Sequence, residues 1–139
     1  MSTIIADNLT GKTSAGSITV TSEGGAATQS LQQGLAKAWV NFDGTLATSA
    51  SDLTGVRDSF NISALVDNGS GDYTPEINNN MLNDDYAVSN SASSSITSSD
   101  TMVNPYTWAT GSVALGVNSA NGTLTNRTTV NCTIHGDLA

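Results

Sequence analysis

Along most of this chain, apolar and polar side chains alternate with the period of two that marks half-buried β-strands. In "KAWVNFDGT" the alternation places Val40 and Phe42 against Asn41 and Asp43, and "DGT" closes the run as a turn, so a first core strand is expected there. "VRDSFNISALV" sets Val56, Asp58, Phe60 and Ile62 on one side and Arg57, Ser59 and Asn61 on the other, and reads as one strand. It ends in "DNGSG", and "DYTPEI" begins at once, which predicts a hairpin. Pro75 falls late in that second strand and lacks a backbone donor, so its end is expected at a sheet edge or a bulge. "NNNMLNDDYAVSNSAS" predicts a loop and then a strand centred on Tyr86–Ser89, and "SASSSITSSD" a flexible loop across one end of the domain. "YTWATGSVALGV" and "TLTNRTTVNCTIHG", separated by the turn "NSANGT", supply the last strands. About six or seven strands after residue 38, at this spacing and with no internal repeat, predict an all-β protein built as an antiparallel β-sandwich.

The first 35 residues follow a different pattern. Two short β-like pieces, Thr3–Ala6 and Ser17–Thr21, are separated by Gly and Ser. In "QSLQQGLAKAW", Leu31, Leu35 and then Ala38 or Trp39 recur at helical spacing, although Gly34 costs such a helix about 1 kcal/mol relative to Ala. The reading therefore divides the chain into an N-terminal stalk or docking segment, 1–35, and a β-sandwich head domain, 36–139. The segment has too few apolar residues for a core of its own, and is expected to pack on the head, on another subunit or on a larger particle.

Composition sharpens this picture. Hydrophobic residues make up 37% of the 139 positions, against roughly 45–50% apolar content (Gly included) in ordinary domains. Disorder usually pairs low hydrophobicity with abundant Pro, Glu and Lys. Here charged residues are only 12% and Pro only 2, so the polar mass is Ser, Thr, Asn and Gly on a folded surface. A net charge of −8 with four Lys and Arg excludes nucleic acid as a partner, since phosphate binding needs clustered cations. It equally disfavours an anionic membrane surface, and no apolar run approaches the length of a membrane span. "MSTIIADNLTG" has neither a basic n-region nor an adequate apolar run, so no signal peptide is expected. The repeated Asn-x-Ser/Thr matches carry no weight without one.

Candidate chemistry is sparse. Cys132 is the one cysteine, and its alternation with Val130 and Ile134 places it on the buried face of a strand, with His135 on the opposite face. No nucleophile elbow, Walker loop, dinucleotide fingerprint, H-E-x-x-H or C-x-x-C occurs. Two carboxylates would suffice for glycoside hydrolysis, but sugar-cleaving clefts are lined by aromatic residues, which are 5% here. The scattered acids (Asp43, Asp67, Asp72, Asp84, Asp85) read as turn chemistry, and "NDD" lacks the spacing of a calcium loop. No enzyme activity, catalytic residue, cofactor or metal is expected. Trp39, Phe42 and Phe60 are assigned to the structural core. Tyr106 and Trp108, after Pro105 and a long polar loop, are candidate surface-recognition residues, the alternative for Trp108 being that it anchors the sheet from its other face.

Four pieces in series, "KAWVNFDGT", "VRDSFNISALVDNGSGDYT", "NDDYAVSNSAS" and "CTIHGDLA", resemble small tail-fibre-like proteins of phages infecting aquatic bacteria. The resemblance covers residues 35 to 139. It implies a virion structural protein whose β head is homotrimeric, made in the bacterial cytoplasm and carried on the particle. The N-terminal segment would join it to other virion proteins of tail or capsid. The head would contact a host-surface glycan or outer-membrane protein in attachment, or serve as capsid decoration without a receptor role. A carbohydrate-active or carbohydrate-binding module is the reading of a different class. Trimerisation would supply the burial that so polar a chain lacks.

Overall fold

The computed structural model describes residues 4–14, 16–94 and 101–139, and divides into two compact units, 1–35 and 36–139. In the first unit, β1 (Thr19–Thr21) pairs antiparallel with β2 (Thr28–Ser30). The hairpin turns at Gly25, whose φ of 72° is the left-handed conformation that glycine adopts without steric cost. A single helical turn, α1 (Leu31–Gly34), follows, with the Ser30 hydroxyl accepting from Gln33 N–H as its N-cap. The longer helix expected from the leucine spacing stops at Gly34, and Leu35 is already extended with φ −96° and ψ 142°. Ile4–Ala6, the described residues of the first β-like piece, form no strand, and Thr3 lies outside the described residues. None of the described residues between 4 and 35 is buried.

The second unit is all-β and antiparallel. Its strands are β3 (Ala38–Phe42), β4 (Val56–Phe60), β5 (Ile62–Gly69), β6 (Asp72–Ile77), β7 (Ala87–Ser93), β8 (Thr101–Ala109), β9 (Ser112–Ser119) and β10 (Thr129–His135). They form two four-stranded sheets, ordered β4-β3-β10-β7 and β5-β6-β9-β8. Alternation produces the core directly. Ala38, Val40 and Phe42 of β3 and Val130, Cys132 and Ile134 of β10 turn inward from the first sheet. Leu65, Tyr73, Ile77, Val113, Leu115 and Val117 meet them from the second. The rings of Phe42 and Tyr73 touch edge to face across the two sheets, with centroids 5.0 Å apart, a favourable aromatic geometry. Cys132 lies on the buried face as its alternation predicts, and burial pushes its thiol up to about 12.

The expected continuous strand over Val56–Val66 is two strands in different sheets. Asn61 separates them, and with φ 57° it is the one non-glycine residue at positive φ among those described. Asn tolerates this region better than most residues, and its side chain closes the corner. Its Nδ2 donates to the carbonyls of Lys37 (3.0 Å) and Asn79 (3.1 Å), and its Oδ1 accepts from Asn79 N–H at 2.8 Å.

A second irregularity turns Phe60 out of the core, and the plain alternation of β3 turns Trp39 out as well. The β3–β4 register shifts so that Phe42 faces Val56 while Asn41 faces Asp58, leaving Arg57 as an extra, bulged residue. The bulge reverses the phase of the alternation. Val56 packs on the core, but Asp58 and Phe60 turn outward, and Phe60 is 53% exposed. Trp39, opposite Phe60 in the ladder, shares that outer face and is only half-buried. Phe42 alone of the three is a core residue, fully buried.

Of the two settings expected for Pro75, the edge does not hold, since β6 lies between β5 and β9. The β6–β9 pairing joins Asp72, Tyr73 and Glu76 to their partners and skips Thr74 and Pro75, so the break in the ladder accommodates the missing donor. The loop of 78–85 does more than connect strands, because Met81 bridges to Leu138 and is buried in the core. Of the polar stretch read as a flexible loop, Ser91–Ser93 belong to β7, and 95–100 lie outside the described residues.

Candidate functional site

The outer face of the second sheet carries the most developed polar arrangement around an exposed aromatic residue. β8 is an edge strand, and its register to β9 shifts between Pro105, opposite Leu115, and Thr107, opposite Ala114. Tyr106 is the unpaired residue of that bulge. Bulges re-aim side chains, and here the ring crosses Gly116 of β9. A Cβ built on Gly116 would lie 3.8 Å from Tyr106 Cδ1 and 3.4 Å from Leu124 Cδ2, ordinary contact distances that put both side chains over this position.

Beyond Gly116 the Tyr106 hydroxyl donates to Asp72 Oδ1 at 2.6 Å. Asp72 opens β6 opposite Gly116, with Tyr73 pointing inward beside it and Thr74 outward again. Asn68, at the end of β5, completes the group: its Nδ2 donates to Thr74 Oγ1 at 2.9 Å and lies 3.4 Å from Asp72 Oδ1. The hydrogen bond to Asp72 is the chief cause that pushes the Tyr106 phenol up to about 12, with burial and the carboxylate's charge adding to it. Tyr106 therefore stays a neutral donor, and its orientation is set by Asp72. Asp72 Oδ2 accepts no hydrogen bond among the described residues and faces a surface where Tyr106 is 51% exposed.

Chemically, this is a fixed aromatic face beside a carboxylate oxygen, an amide and a hydroxyl. Such a set can stack on the apolar face of a ring and accept hydrogen bonds from its hydroxyls. Met102, 60% exposed, and Leu124, 42% exposed, extend the apolar portion of the same face. Among the described residues, no group of three or more His, Cys, Asp and Glu is placed to hold a metal ion.

Trp108 does not join Tyr106. It pairs with Val113, which belongs to the core, so the ladder puts it on the core-facing side, where the sheet edge leaves it 40% exposed. Asp72, Asn68 and Thr74 are site residues that sequence reasoning misses, although the signal is present. Once Tyr73 is placed inward, a period of two sends Asp72 and Thr74 outward together, while the "DNGSG" stretch reads only as turn chemistry. Half-buried Trp39 and exposed Phe60, on the outer face of the first sheet, are a second aromatic surface that sequence reasoning places in the core. Beside it the amide of Asn41 donates to Asn131 Oδ1, and Asn131 Nδ2 donates to Ser91 Oγ at 3.3 Å, a polar ladder across β3, β10 and β7.

No protein-family model, curated protein or solved structure matches this chain.

Proposed function

We propose that the chain is a non-enzymatic structural protein of a phage virion, a trimeric fibre or spike whose sandwich-like β head attaches the particle to a host-surface glycan. The observation that carries this reading is the Tyr106–Asp72–Asn68–Thr74 group, an oriented aromatic face with hydroxyl-seeking polar atoms on an otherwise Ser/Thr/Asn-rich surface. The resemblance of residues 35 to 139 to tail-fibre-like proteins supplies the biological setting. Charge narrows the ligand: nearly all of the chain's net −8 belongs to the head, since residues 1–35 hold only Asp7, Glu23 and Lys12. An acidic head repels phosphorylated or carboxylated sugars and favours neutral ones.

Binding of the purified full-length chain to neutral host polysaccharide tests this. Tyr106→Ala and Asp72→Asn should each weaken binding about tenfold, the loss of one well-made contact worth about 1.4 kcal/mol, with the melting temperature little changed. Unaltered binding in both variants would remove the patch as the receptor contact. Binding to purified capsids, with none to host glycan, would instead favour capsid decoration, and release of reducing ends would revive a sugar-cleaving enzyme.

A further inference from the structure

The N-terminal unit holds a partly apolar groove and, just before it, two exposed apolar side chains. The groove has a volume of about 470 Å³; Leu9, Ile18, Leu31 and Leu35 form its apolar wall, and Asp7 and Asn8 are among its polar lining. Ile4 and Ile5 directly precede its first lining residue yet are 87% and 93% exposed. Two adjacent isoleucines left this open lose the roughly 1.5–3 kcal/mol each that burial would supply. With none of the described residues between 4 and 35 buried, the unit's ordered hairpin and capped turn lack the apolar burial that offsets chain entropy.

We propose that Ile4–Ile5 of one copy seats in the Leu9–Ile18–Leu31–Leu35 groove of the next copy, and that this repeated contact closes the homo-oligomer. On the trimeric reading the occupant is a second copy, and the charge distribution puts the contact here rather than between heads. Heads that carry nearly all of a −8 charge repel one another at close approach, whereas the segment 1–35, with Asp7, Glu23 and Lys12, is close to neutral. A segment-into-groove contact uses two different patches, so it is heterologous and makes a ring when its rotation closes. Adjacent residues of an extended segment point to opposite sides. One isoleucine therefore enters the groove and the other covers its rim.

The inference rests on the trimeric reading above, and the test separates the two. Full-length Ile5→Cys and Leu35→Cys chains, carrying different tags, are mixed, reassembled and oxidised. Cys132 is a silent background, since it is 2% exposed with its thiol pushed up to about 12. A disulfide joining the two tags is expected, with Gly24→Cys, at the open hairpin turn, in place of Leu35→Cys giving little. The Ile4→Asn/Ile5→Asn double variant should fall to the mass of one chain while the head melts as before. If the parent chain is oligomeric but the mixed disulfide is absent and the double variant keeps its mass, the groove contact is wrong and the trimeric reading stands. A monomeric parent chain overturns both.

Discussion

Arg57 and Asn61 decide which faces the residues between them present, though neither contributes to the apolar pattern. Phe60 illustrates the effect: the same side chain is core under strict alternation and 53% exposed once Arg57 is bulged. The bulge is held by the Arg57 guanidinium, which donates to the carbonyl of Phe42 at 3.2 Å and pairs with Asp43 Oδ2 at 2.9 Å. Phe42 and Phe60 should accordingly separate in a stability measurement. Phe42→Ala is expected to cost about 3–5 kcal/mol, the range for emptying an aromatic site in a packed core. Phe60→Ala should cost about 1 kcal/mol or less, the scale of one cross-strand pair. Urea unfolding of the two variants checks this, and equal costs would return Phe60 to the core. Cys132, Val40 and Ile134 were legible because nothing interrupts the period of two in β3 and β10. Trp39 was not, because its bulk suggested a core position that its phase denies.

At the level of elements, the hairpin of β5 and β6 was readable in "DNGSGDYT", where turn residues lie between alternating runs. The corner at Asn61 was hidden inside a run whose polarity alternates smoothly through it, and only its backbone geometry and three side-chain hydrogen bonds reveal the crossing between sheets. Asn61→Ala is expected to destabilise by about 2–3 kcal/mol. Part comes from losing the tolerance of the left-handed region that Asn has and Ala lacks, and the rest from lost hydrogen bonds. Asn61→Gly restores the backbone but not the bonds, so it should cost about 1 kcal/mol less than Ala. If Gly proved the worse of the two, backbone strain would not be the reason for Asn at this corner. The bulge at Tyr106 hid the candidate site in a similar way: the sequence placed an aromatic at a strand, while the extra residue in β8 aimed it across Gly116 toward Asp72.

At the scale of the whole molecule, two units answer to different physics. Residues 36–139 contain the buried core, with side chains from both sheets meeting within the one unit. The described residues of 1–35 bury nothing and expose Ile4, Ile5, Leu9, Val20 and Leu35. An acidic, hydroxyl-rich head with an aromatic–carboxylate patch suits contact with a glycan surface, and a nearly neutral, apolar-exposing lead suits contact between copies. The account depends on those copies meeting, since assembly would cover what the lead leaves open. The mass of the purified full-length chain in solution, by light scattering, tests that most directly. The account predicts a stable species of three chains of 14.2 kDa each, and a chain that stays monomeric at micromolar concentration would contradict it.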